Sequence, residues 1–174
     1  MVRVVASRKT TDLALHLQPL VNAFLPLAER AGLDLLVYCT RRSLHEQAVL
    51  FRKGRPLSDI QARAQTLEKQ FQRPDLAEIL LAAPPQYERN IVTHAAPGQS
   101  LHNYGLALDC VPMDNGKPAW AEDAPSWLHY GAMAKQAGLA WAGDWDTFRE
   151  FPHIYLPGAH WRDLIRQGKE TPDV

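Results

Sequence analysis

A chain of 174 residues has the size of one ordinary domain and can bury a substantial core. Its 19 Lys and Arg balance 19 Asp and Glu, so the charge gives no sign of a polyanion-binding protein and nucleic acid is not an expected partner. No apolar run reaches the length of a membrane span, so stable membrane insertion is not expected either.

The opening residues, MVRVVASRKTTD, carry too short an apolar stretch for a secretory signal peptide, which predicts synthesis in the cytoplasm. Two cysteines, Cys39 and Cys110, make a poor disulfide framework, and both lie in apolar strand-like contexts as small buried hydrophobes. The first helix is predicted in QPLVNAFLPLAERAG, with Leu20, Phe24, Leu27 and Ala28 at helical intervals. Pro19 suits its first turn, Gly32 its C-terminal cap, and Pro26 predicts a kink. DLLVYCT reads as a strand, and SLHEQAVLFRKG as a helix with Ser43 at its N-cap and Gln47 facing inward.

Residues 56–90 are predicted as a helical elaboration of the domain. Ser58 with Gln61 resembles a capping box opening DIQARAQTLEKQF, and Arg73-Pro74 separates that helix from DLAEILLA. IVTHA and GLALDCVPM follow as strands, with Asp114-Asn115-Gly116-Lys117 as turn chemistry. SWLHYGAMAKQAG is a helix ended by Gly138, LAWAG and PHIYL are short strands flanking the loop GDWDTFREF, and AHWRDLIRQGK is a final amphipathic helix. Helices that precede, interrupt and follow a set of short strands predict an α+β fold in a single domain, 1–174.

The chemistry concentrates in SLHNYGLALD. His102 and Asp109 stand on either side of Gly105, leading into a predicted buried strand. One reading is a loop with a capping serine, a surface histidine and an aspartate at a strand end; the other is the first two ligands of a metal site. Catalytic zinc takes three protein ligands and keeps one position for water. The third candidate is in GDWDTFREFPHIYL, where His153 begins a strand and Glu150 precedes it by three residues. Two histidines and a carboxylate as ligands, with a further carboxylate beside the open position, make a complete hydrolytic set.

At these residues the chain resembles the superfamily of zinc D,D-carboxypeptidases and L-alanyl-D-glutamate peptidases. Ser100, His102, Gly105, Ala107 and Asp109 match its SxHxxGxAxD pattern, and a carboxylate three residues before the last histidine is its second signature. Glu150-Phe151-Pro152-His153 is closer to the DxPH of the phage endolysin branch than to the ExWH of the carboxypeptidases. Gly143-Asp144-Trp145 and Arg42-Ser43-Leu44-His45-Glu46-Gln47, followed by Gly54-Arg55, also look like that branch. Glu150 in place of aspartate and the long stretch 56–90 are the two departures.

The resemblance implies a Hedgehog/D,D-peptidase-like α+β fold whose small antiparallel sheet carries zinc on His102, Asp109 and His153. It implies Glu150 as general base and Arg42 as the cation for the oxyanion. Ser100 and Gln47 would bond substrate or orient the site, and Ser100 alternatively caps its loop. The expected substrate is the stem peptide of peptidoglycan, cleaved at L-alanyl-D-glutamate by a monomeric endolysin released from the host cytoplasm to the wall. A D,D-carboxypeptidase or dipeptidase releasing terminal D-alanine is the alternative, and a non-catalytic zinc-bearing binding module is the reading from another class. Glu150 argues against the last, because a structural site needs no carboxylate beside an open position. His16, His45, His94, His129 and His160 read as surface or satisfied groups, Asp144 and Asp146 as supports of the third ligand or solvated loop carboxylates. Trp141, Trp145, Phe148 and Tyr155 read as the core and walls of the site.

Overall fold

The computed structural model describes residues 6–86 and 90–167. In chain order the described residues form α1 (Gln18–Arg30), β1 (Leu35–Cys39), α2 (Leu44–Arg52), α3 (Leu57–Phe71), α4 (Pro74–Ala82), β2 (Ala107–Asp114), β3 (Lys117–Pro118), α5 (Ser126–Gln136), β4 (Ala140–Trp141), β5 (His153–Tyr155) and α6 (Trp161–Arg166). This is the α+β composition the sequence predicts. No helix among the described residues is long and apolar enough to cross a membrane. Packing divides the chain into two compact units. Ser7–Arg41 and Tyr104–Ala159 form the sheet unit, and Arg42–Asn103 with the described residues from His160 onward form a helical unit.

In the sheet unit all strands pair antiparallel in the order β1-β2-β5-β4, with β3 hairpinned onto β2. The hairpin turns at Asn115 and Gly116, both at positive φ, as their sequence predicts. β2 is the spine, with Leu108, Cys110 and Val111 fully buried. Against it pack Val21, Phe24 and Ala28 of α1 and Trp127 and Tyr130 of α5. Tyr130 meets Phe24 and Trp127 edge-on, each at 5.6 Å between ring centroids. α1 runs on through Pro26, which is exposed, so the Asn22 carbonyl that a proline leaves without its helical donor lies on the solvent side. Gly105 sits at a φ of +66°, and a Cβ there would come within 2.9 Å of the Ala14 backbone nitrogen, so only glycine fits.

The helical unit has its own core of Ala48, Phe51, Ile60, Ala64, Leu67, Leu76, Leu80, Ala96 and Ile165. Arginines tie its helices together by donating to carbonyls that the last turn of a helix leaves unpaired. Arg52 Nη1 reaches Leu80 and Leu81 O at 3.2 and 3.1 Å, and Arg73 Nη1 reaches Ile165 O at 3.2 Å. Ser43 caps α2 as predicted, its Oγ accepting from the Glu46 N–H at 3.1 Å. The Glu46 carboxylate in turn accepts from the Ser43 N–H, which completes a capping box there.

Two expectations for 56–95 fail. α3 starts at Leu57 with Pro56 as its cap residue, so Ser58 lies inside the helix and its hydroxyl meets the Asp59 side chain. The extended ψ of 159° at Pro56 places the helix entry two residues earlier than a Ser58 cap requires. IVTHA forms no strand. Two of its carbonyls accept from side chains: Gln47 Nε2 donates to Ala95 O at 2.7 Å and Arg55 Nη2 to Thr93 O at 2.7 Å. The last helix forms over Trp161–Arg166 with the His160 ring capping the Arg162 N–H, and the predicted Lys169 end lies outside the described residues.

Candidate metal centre and active site

Within the sheet unit, Asp109 of β2 and His153 of β5 are register partners. Their side chains therefore emerge on the same face, and His153 Nδ1 lies 3.0 Å from Asp109 Oδ1. Two ligand atoms of a tetrahedral zinc, each about 2.0–2.1 Å from the ion, stand about 3.3 Å apart. A carboxylate oxygen and an imidazole nitrogen at this separation thus fit one metal ion, in type and in spacing. Glu150 Oε2 is 4.0 Å from the same His153 nitrogen, and its side chain is 39% exposed, against 9% for His153 and 15% for Asp109. The pair is sheltered while the third group faces solvent, the arrangement a base needs to exchange protons beside a bound ion.

The approach to His153 is held by the core. Pro152 O accepts from the Tyr130 hydroxyl at 2.6 Å and from the Cys110 N–H at 3.1 Å, and Phe151 O accepts from Trp141 Nε1 at 2.8 Å. Burial pushes the Tyr130 hydroxyl far above its ordinary range, so it stays a donor. The His153 ring stacks on Tyr155 and leans on Trp145, whose Nε1 donates to the Tyr155 hydroxyl at 3.1 Å. Trp145 and Tyr155 flank His153, and Trp141 is core. Phe148 is 57% exposed, so it is not part of the core.

On its other side Asp109 faces Cys39 of β1 in register. β1 skips Tyr38 between Val37 and Cys39, and this bulge brings the buried Cys39 onto the face of Asp109. Sequence reading treats Cys39 as a small hydrophobe and has no signal for this neighbour. Asp144 forms a surface ion pair with Lys135 at 2.8 Å, and Asp146 is exposed; His16, His45, His94, His129 and His160 are all exposed.

The helical unit brings together Arg42, Gln47 and His102. Gln47 is fully buried and both ends of its amide are occupied: Oε1 accepts from Arg42 Nη1 at 2.9 Å, while Nε2 donates to Ala95 O. The Arg42 N–H donates to His102 O at 3.2 Å, and His102 is 2% exposed in the 3-10 turn Leu101–Tyr104. Ser100 is half-buried just before that turn. Glu46 is buried beside Arg42 and His102; burial raises its pKa, and the Arg42 charge opposes the rise.

Comparison with known proteins agrees with the resemblance. The sequence pattern of a family described as D-alanyl-D-alanine carboxypeptidase matches residues 93–156, the stretch that contains Ser100, His102, Asp109, Glu150 and His153. The chain is 28% identical over 143 residues to the peptidoglycan L-alanyl-D-glutamate endopeptidase CwlK of Bacillus subtilis (strain 168), covering 78% of this chain and 68% of the relative. Among solved structures, the LdcB LD-carboxypeptidase shares the fold with a TM-score of 0.52 at 17% identity, over 89% of this chain and 64% of that one. The L-Ala D-Glu endopeptidase ChiX of Serratia marcescens aligns over 94% and 96% of the two chains at 15% identity and a TM-score of 0.48.

Proposed function

We propose that this chain is a zinc-dependent peptidase of peptidoglycan stem peptides that hydrolyses the L-alanyl-D-glutamate bond. The observation that carries the reading is the register pair Asp109–His153 at 3.0 Å, with Glu150 at its open side, in a chain related to an endopeptidase of that specificity. Asp109 and His153 would hold the metal with His102 as third ligand, the last on its place in the SxHxxGxAxD pattern. Bound there, zinc would supply Lewis acidity and lower the pKa of its water to about 7. The Glu150 carboxylate takes the proton of the attacking water and returns it to the leaving amine. Arg42, aimed through Gln47 Oε1, presents a fixed cation to the charge that develops on the scissile carbonyl. The occupied amide of Gln47 favours this orienting role over a direct bond to substrate; Ser100 is the group left to meet the substrate.

The Glu150-Phe151-Pro152-His153 signature places the chain nearest the endolysin branch in this reading, as a monomer made in the host cytoplasm and released to the wall. A D,D-carboxypeptidase is the second reading, favoured by the description of the family whose pattern matches 93–156. Mass spectrometry of defined muropeptides, digested with and without a chelator, separates the two. A sugar-linked fragment ending in a free L-alanine carboxyl supports the endopeptidase, and released D-alanine supports the alternative. Undiminished cleavage in the presence of chelator overturns both.

A further inference from the structure

Asn103 is fully buried, and its carboxamide is used at both ends. Oδ1 accepts from the Gly98 N–H at 3.0 Å, while Nδ2 donates to Arg42 O at 3.0 Å and to Ser43 O at 3.4 Å. Its own N–H donates to Ser100 O at 3.0 Å. One side chain thus ties the loop at Gly98 and the 3-10 turn carrying His102 to the entry of α2 carrying Arg42, across a sequence separation of 61 residues. The Arg42 N–H to His102 O bond runs beside it.

We infer that Asn103 is a positioning residue that fixes the metal-ligand turn of His102 and the oxyanion cation Arg42 in one frame. The inference rests on the roles proposed above for those two residues. A planar amide is required because the two ends meet opposite demands: an N–H to be accepted on one side and two carbonyls to be donated to on the other. Aspartate has the same shape but no donor, and alanine has neither end. Buried groups that lose such a partner are repaired by movement of the chain, and displacements well under 1 Å are enough to spoil a ligand or an oxyanion contact.

The test uses the full chain, wild type, Asn103→Asp and Asn103→Ala, each also in an Arg42→Ala background, with zinc affinity read by chelator competition and kcat and KM read on a stem peptide. Asn103→Asp is expected to weaken zinc about 10-fold or more, the effect typical of removing a group that orients a ligand. With zinc saturating, kcat should fall at least 10-fold while KM changes little. In the Arg42→Ala background the further loss of kcat should shrink to under about 2-fold, because the side chain acts through Arg42. Asn103→Ala, which adds no buried charge, is expected to show the same pattern measured below its own melting temperature. A lowered melting temperature with wild-type zinc affinity and kcat overturns the inference, as does the same fractional loss of kcat in both backgrounds. His102→Ala is the separating control. Wild-type zinc affinity in that variant overturns the proposed ligand set itself, whereas loss of zinc there, with Asn103→Asp unaffected, overturns only the role of Asn103.

Discussion

His153 Nδ1 and Asp109 Oδ1 stand 3.0 Å apart across the β2–β5 pair, in direct register. Antiparallel register partners keep their separation through the backbone ladder on both sides. As ligands of one ion, the two groups would be preset and would not have to be gathered by it.

The first prediction follows from that preset pair. Purified protein should bind one zinc per chain, and Asp109→Ala and His153→Ala should each lose it while the helical unit keeps its circular dichroism. Metal analysis of wild-type and zinc-reconstituted protein checks this, and no stoichiometric zinc in either would sink the proposed centre.

Glu150→Gln should bind zinc and fold as wild type but lose most turnover, because an amide cannot take the proton of water. Glu150→Asp should keep appreciable activity, since it leaves a carboxylate at the same half-exposed position. Near wild-type turnover by Glu150→Gln means another base does the work.

Arg42→Ala should lower kcat by about 10²–10³, the effect of deleting one oxyanion donor. Arg42→Lys should restore only part, because a point charge cannot both meet Gln47 Oε1 and reach forward as a planar fork does. Arg41→Ala is the control and should be nearly silent, with zinc content equal in all three. A crippled Arg41→Ala beside a silent Arg42→Ala would shift the motif assignment by one residue.

Tyr130→Phe removes the hydroxyl donor to Pro152 O, but the Cys110 N–H still serves that carbonyl. Pro152 O keeps one of its two donors, while the Cys110 side chain loses its contact with the hydroxyl, so the variant should be less stable by about 1–2 kcal/mol. Urea denaturation reads this directly; a loss above about 3 kcal/mol would mean the hydroxyl supports more than Pro152 and Cys110.

Arg73 holds the Asp75 carboxyl below the usual carboxylate range, chiefly by hydrogen bonding. A depressed folded-state pKa contributes stability that is present above the unfolded value of about 3.9 and is lost as pH falls through the folded value. The Asp75 side chain is 54% exposed, so solvent screening keeps the effect of Asp75→Asn under about 1 kcal/mol at pH 7. Thermal melts of both proteins should differ at pH 7 and converge towards pH 2; a gap that persists in acid excludes the charge as its cause.

What the sequence determined by itself was local. Ser43 as a cap, Arg73-Pro74 as the break between α3 and α4, and the Asn115-Gly116 turn each depend on contacts within a few residues. The fold class followed from the order of such pieces, and the site residues from a motif resemblance rather than from periodicity. The tertiary structure alone decided which strand stands beside which. Asp109 and His153 are 44 residues apart and meet through register, Cys39 joins the face of Asp109 through a bulge at Tyr38, and IVTHA, apolar enough for a strand, has two of its carbonyls taken by Gln47 and Arg55. A strand exists only with a partner, and the partner's identity and register are set by distant segments competing for the same backbone hydrogen bonds.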